Sequence, residues 1–236
     1  MATMPHRLHQ RVTWESMTDP SEVIRASLGG YPILPLGESW PVCAEPGCNR
    51  RLALFFQLDV EDRFGLPFAA GSTLSIFQCL EHDDPFDDVD AMSPKPQERL
   101  PDKYWDQASC AMFLAAPGEQ QQLAEREPFV GYSRLIFTAE REPHARSVEA
   151  LNFKNMKVGG FPFWIQKPKR WRCCCGAAME FLCSVPEDLM FPRVVGSPRQ
   201  PNGRADSYFL FLGLSTYVFA CRARCHPRAV VAVRQH

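Results

Sequence analysis

One pattern constrains this chain more than any other: an ordered set of features occurs twice. The first run opens Leu28-Gly29-Gly30-Tyr31-Pro32, passes Trp40, Cys43 and Cys48, and continues through the apolar stretch Leu52 to Leu58. It ends Ser75-Ile76-Phe77-Gln78-Cys79, with His82 following. The second opens Val158-Gly159-Gly160-Phe161-Pro162, passes Trp171, Cys173 and Cys175, and continues through Met179 to Val185. It ends Tyr217-Val218-Phe219-Ala220-Cys221, followed by Cys225 and His226. Chance similarity rarely keeps both order and chemistry over such a distance, so the chain reads as an internally duplicated unit. The expected fold class is α+β and β-dominated: a mixed or antiparallel sheet with short helices and long loops. Residues 1–27 read as an N-terminal extension, 28–150 as the first repeat with a connecting segment, and 151–236 as the second repeat. The two repeats are expected to pack as one body.

With 236 residues the chain can bury a sizeable core. No apolar run approaches the roughly 20 residues a membrane helix needs. The start, MATMPHRLHQR, has no apolar secretion core. The expectation is a cytoplasmic protein without a membrane partner. That placement decides how the ten cysteines are read. Disulfides do not persist in a reducing compartment, so clustered cysteines become ligands, redox groups or buried small hydrophobes. Twenty-one prolines argue against long helices and for short strands with many turns.

A net charge of −1 hides an asymmetry. Residues 151–236 carry 13 Lys/Arg against four acids, a balance of +9, whereas the rest carries 13 against 23, a balance of −10. Either the two parts attract each other within the molecule, or one of them meets an oppositely charged partner.

Along the chain, Asp19-Pro20-Ser21-Glu22 looks like a helix start. Arg51 to Asp59 reads as a strand buried on both faces, and Ser72 to Leu80 as an alternating one. Glu81 to Asp90 is an acidic loop without the oxygen spacing of a calcium loop. Met92 to Asp106 is proline-rich surface loop, Ser109 to Ala116 and Phe129 to Thr138 are further strands, and Ser147 to Asn155 is a short helix. Pro186 to Asp206 should be a long, mobile loop. Tyr208 to Leu212 and Leu214 to Cys221 read as a hairpin turning at Gly213, and Ala229 to Val233 as an edge strand.

Cys43-x4-Cys48 and Cys79-x2-His82 are two pairs of soft ligands on turns and a strand end. Brought together, they suit tetrahedral zinc with three thiolates and an imidazole. Cys173 and Cys175 with Cys221 and Cys225 form a second set, in which Cys174 could replace Cys173 and His226 could replace Cys225. Cys110 and Cys183 read as buried free thiols. A closed four-ligand site is structural and leaves no coordination position for catalysis.

The segments LGGYPILPLGESWP (Leu28 to Pro41), LALFFQLDV (Leu52 to Val60) and VGGFPFWIQ (Val158 to Gln166) resemble the YwqG-like family of bacterial proteins. The later run from Trp171 to YVFAC also resembles the C-terminal domain of the programmed cell death protein two family. Together the resemblance covers most of residues 28–227. It implies a duplicated, β-dominated fold and a role in binding another protein. Some bacterial members look like immunity proteins beside toxin genes, and the eukaryotic relatives look like chaperones of a ribosomal protein. This chain departs from many members in its density of cysteines, so zinc is not implied by the likeness.

No Gly-x-Ser-x-Gly, His-Glu-x-x-His, phosphate-binding glycine loop or dinucleotide fingerprint is present. The reading is a non-enzymatic, zinc-stabilised protein-binding module of immunity or chaperone type, its partner a toxin or a client protein. A weaker reading is single-stranded nucleic-acid binding through Lys167-Pro168-Lys169-Arg170-Trp171-Arg172. Another is an enzyme using a Cys thiol or a His, although His6 and His144 have no partner evident in the sequence.

Overall fold

Leu52 to Leu58 is short, rich in Phe and Leu, and preceded by a turn, which favours a strand covered on both sides. In the computed structural model it is one, β4 (Ala53–Asp59), with every residue but the last buried. The structure describes residues 8–17, 24–84, 99–123, 128–142 and 154–235. Around β4, the earlier strands are β1 (Leu8–Ser16), β2 (Ser27–Leu28) and β3 (Ile33–Pro35). The middle of the chain gives β5 (Thr73–Gln78), β6 (Cys110–Ala115), β7 (Gln120–Gln122) and β8 (Ser133–Arg141). The remainder gives β9 (Met156–Val158), β10 (Met179–Val185), β11 (Met190–Pro192), β12 (Ser207–Phe209), β13 (Ser215–Cys221) and β14 (Val230–Gln235). Among the described residues there is no α-helix, only the 3-10 turns Asp62–Phe64 and Leu210–Gly213. Among the described residues, no helix is long and apolar enough to cross a membrane. The helices expected at 19–22 and across 147–153 lie outside the described residues, as do 85–90 of the acidic loop and 92–98 of the proline-rich loop.

Ten strands make one sheet in the order β14-β13-β10-β9-β1-β8-β2-β4-β5-β6. Every neighbouring pair is antiparallel. The order reads alike from both ends: β2-β4-β5-β6 and β9-β10-β13-β14 flank the central β1–β8 pair. Each central strand also pairs with the far series, β1 with β9 and β8 with β2. Local irregularities match too. The β4–β5 register shifts between Leu54 and Phe56, and the β10–β13 register between Phe181 and Cys183. The Gly29 N–H donates to the Phe55 carbonyl (3.0 Å) as the Gly159 N–H donates to that of Leu182 (2.8 Å).

The Gly-Gly turns explain why no other residue serves there. Gly29 and Gly159 have φ of +55° and +72°, and a Cβ would stand 2.2 Å from the Val130 carbonyl oxygen and 2.4 Å from that of Phe64. Behind each turn a buried polar side chain holds the aromatic residue's carbonyl. Gln57 Nε2 donates to the Tyr31 oxygen (3.2 Å), and Lys157 Nζ donates to the Phe161 oxygen (2.5 Å). Lys157 is fully buried, and it is tolerated there because Glu142 lies 3.0 Å away and the Phe163 ring 3.5 Å.

Several expectations are corrected. Leu8–Ser16, set aside with the N-terminal extension, is a strand at the centre of the sheet. Tyr208 to Leu212 does not form a hairpin with the strand after it. β12 pairs with β11 in a separate small sheet, and Phe211 and Leu212 turn the chain at φ of +49° and +63° before β13. Pro186 to Asp206 is not a free loop. Phe191 and Tyr208 are fully buried, with their rings 5.1 and 6.3 Å from that of Phe55, and the Gln200 amide brackets the Phe209 backbone with two 2.7 Å hydrogen bonds. β8 begins at Ser133, later than expected, and runs to Arg141. β14 is an edge strand as expected, and the sheet curls so that Leu114 of β6 donates to the Pro227 carbonyl just before β14 (2.7 Å).

Candidate metal centres

The first group is assembled by a small hairpin and a strand end. Val42 bridges Arg51, and the Cys43 N–H donates to the Arg50 carbonyl (2.7 Å). The chain between them turns through Gly47 and Asn49, both at positive φ. This presents Cys43 and Cys48 toward the end of β5, where Cys79 and His82 occupy the next turn. The Arg50–Glu81 ion pair (2.8 Å) spans the two turns. Trp40 lies beneath: its indole N–H donates to the Leu52 carbonyl (2.8 Å), and its ring meets Phe77 edge-on.

The second group is built in the same way at the other end of the sheet. Arg172 bridges Ala178, and the Cys173 N–H donates to the Ala177 carbonyl (2.8 Å). Gly176 makes the turn with φ of +91°. Cys221 ends β13, and Cys225 lies on the turn that follows. Trp171 is buried edge-on against Phe219.

In each group the four donor atoms all lie within 4.8 Å of one another. Cys43 Sγ is 3.5 Å from His82 Nδ1, Cys79 Sγ is 3.7 Å from it, and Cys48 Sγ is 3.9 Å from Cys79 Sγ. Cys173 to Cys225 and Cys175 to Cys221 are both 3.5 Å. Donors about 2.0–2.3 Å from a tetrahedral ion stand about 3.3–3.8 Å apart, whereas a disulfide needs about 2.05 Å. All ten cysteines are free. Both groups could therefore hold a metal ion.

Backbone amides support the sulfurs. The N–H groups of Glu81 and His82 both point at Cys79 Sγ (3.4 Å each), as expected where a thiolate needs donors. Burial pushes the Cys43 thiol up to about 12 and raises those of Cys79 and Cys221. Exposed Cys175 goes the other way, to about 7, chiefly through the Ala177 amide. A bound cation inverts the preference of the buried thiols, because its charge outweighs their desolvation.

Two alternatives left open by the sequence differ in their geometry. Cys173 belongs to the mutual set, while half-buried Cys174 lies outside it, its Sγ 3.8 Å from that of Cys173. Cys225 belongs too, while the His226 ring stacks on Trp105 and its Nδ1 accepts the Arg228 N–H (3.1 Å). Sequence reasoning missed Tyr104, whose hydroxyl lies 3.7 Å from Cys173 Sγ. Burial raises its phenol, which keeps it a donor. Its only signal was a buried-type aromatic pair, Tyr104-Trp105, inside a proline-rich loop. Cys110 and Cys183 lie apart from both groups and are buried.

Two other features bear on function. Trp171 is 7% exposed and so cannot offer a face to a nucleic-acid base. Part of the charge asymmetry is consumed internally, by Asp84 with Arg234 (2.5 Å) and Asp106 with Arg228 (3.0 Å). No protein-family model matches the chain, and no curated protein matches it.

Proposed function

We propose that each group holds a structural zinc ion and that the chain is an internally duplicated, non-enzymatic module that binds one partner protein in the cytoplasm. The observation that carries the metal part is the pair of four-donor groups, one of three thiolates and an imidazole and one of four thiolates, each with every donor within 4.8 Å of the others. That soft donor set favours zinc over magnesium or calcium. Four donors close the coordination sphere, so the ion's contribution is folding free energy, on the order of 10 kcal/mol for a structural site.

Supporting the duplication are the palindromic strand order and the paired irregularities at Phe55 and Leu182. The likeness to the YwqG-like family and to the programmed cell death protein two family supports an immunity- or chaperone-type partner. Beside the first group lies an open groove of about 440 Å³, with Val42, Ala44 and Phe113 along it, large enough for a partner's side chains.

Two measurements test this. Elemental analysis of chain purified without chelator is expected to give two zinc per chain, and a metal-free, folded chain would end the metal reading. Affinity capture is expected to bring down one stoichiometric protein, and recovery of nucleic acid alone would favour the weaker reading.

A further inference from the structure

Each candidate metal group is followed directly by the residues that grip the opposite series of strands. After His82 come Asp83 and Asp84. The Asp83 carboxylate accepts the Asn202 backbone N–H (3.2 Å) and side-chain amide (3.0 Å), and Asp84 pairs with Arg234 of β14 (2.5 Å). After Cys225 come His226, Pro227 and Arg228. His226 stacks on Trp105, the Pro227 carbonyl accepts the Leu114 N–H of β6, and Arg228 reaches Asp106 (3.0 Å) and the Trp105 carbonyl (3.1 Å). The first group's turn thus holds the second series, and the second group's turn holds the first. Between the two grips, β6 and β14 approach each other without pairing as strands.

We infer that the two metal sites are coupled: binding at either one fixes the turn whose following residues hold the other series in place, so filling one raises the affinity of the other. This rests on the metal reading above. The physical route is short. Coordination through His82 or Cys225 fixes a backbone position adjacent to Asp83 or His226, and a positioned carboxylate or arginine loses less freedom on pairing than one on a loose turn. Asp83 is 5% exposed, and its carbonyl also accepts from Gln78 Nε2 (3.3 Å), so the grip cannot move independently of the end of β5. Coupling between binding sites is reciprocal by linkage, and typical magnitudes are about 5–150-fold in affinity.

The test is zinc affinity by chelator competition. In Cys48→Ser the second site is expected to weaken by about 5–150-fold, and in Cys175→Ser the first site by the same factor. Because a ligand variant can also loosen the fold at large, a second variant keeps every ligand: Asp84→Asn with Arg228→Gln. It is expected to bind two zinc, but to release them independently instead of together. Unchanged affinity of the remaining site in the ligand variants, or release as cooperative as wild type in the double variant, would overturn the coupling. A wild-type chain that binds no zinc would instead overturn the metal reading beneath it.

Discussion

Trp105 and His226 stack face to face, their ring centroids 4.8 Å apart and their planes 7° from parallel, although 121 positions separate them. His226 adjoins Cys225, so the indole sits one residue from a candidate ligand. The Trp105 indole N–H resonance is expected to shift when zinc is titrated into Cys48→Ser, which retains only the second group. In His226→Ala that shift should shrink. A resonance indifferent to zinc would mean that the turn is placed without help from an ion.

Thiol chemistry separates ligands from bystanders. Cys110 and Cys183 are fully enclosed, and burial pushes the Cys110 thiol up to about 12. Neither should react with an alkylating reagent in the folded chain. Cys175 and Cys225 are exposed, but with zinc bound their lone pairs are engaged. The zinc-loaded chain should therefore be alkylated first at half-buried Cys174, and adducts at Cys175 and Cys225 should appear only after chelation. Mass spectrometry of tryptic peptides checks the order. Rapid modification of Cys175 with zinc present would argue against its being a ligand.

Much of this was legible in the residues, and what was not has physical reasons. Short apolar runs such as Leu52 to Leu58 and Met179 to Val185 announce buried strands, and soft ligands at turn spacing announce convergence. Leu8-His9-Gln10-Arg11-Val12-Thr13-Trp14 does not: its apolar residues are Leu8, Val12 and Trp14, Leu8 is exposed, and β1 is held by pairing on both sides while burying His9 and Gln10. Pro186 to Asp206 reads as loop because its prolines and glycines mask a hairpin anchored by Phe191 and Tyr208. Lys157 is invisible as a core residue, since its partner Glu142 lies in another strand's tail.

Substituting the turn glycines should separate backbone strain from crowding. Gly176 has φ of +91° with open space around a notional Cβ. Gly176→Ala should therefore cost only the left-handed penalty, about 1–2 kcal/mol. Gly159 carries the same penalty, and its Cβ would also lie 2.4 Å from the Phe64 carbonyl oxygen, a backbone atom that cannot rotate away. Gly159→Ala should cost distinctly more in a denaturant titration. Equal costs would show that the turn after Phe64 yields freely.

Lys157 and His9 should give stability a slope of one sign on both sides of neutrality. Burial lowers Lys157 from 10.5 to about 8, with Glu142 opposing, and lowers His9 from 6.5 to about 4, with the charge of Lys157 adding to it. Glu140 and Glu142 also face His9, at 3.6 and 3.9 Å, without reversing its direction. Between pH 8 and 10.5, and again between 4 and 6.5, the unfolded chain holds a proton that the folded chain has released, so stability rises with pH in both windows. Each unit of pKa difference is worth about 1.4 kcal/mol, which makes either contribution on the order of 3 kcal/mol. Acid also strips thiolate-bound metal, so the informative quantity is the difference between wild type and variant. His9→Gln should flatten the acid limb. Lys157→Gln should flatten the alkaline limb while still offering the Phe161 carbonyl a donor, as Gln57 does for Tyr31. An alkaline slope that survives Lys157→Gln would place the titrating group elsewhere.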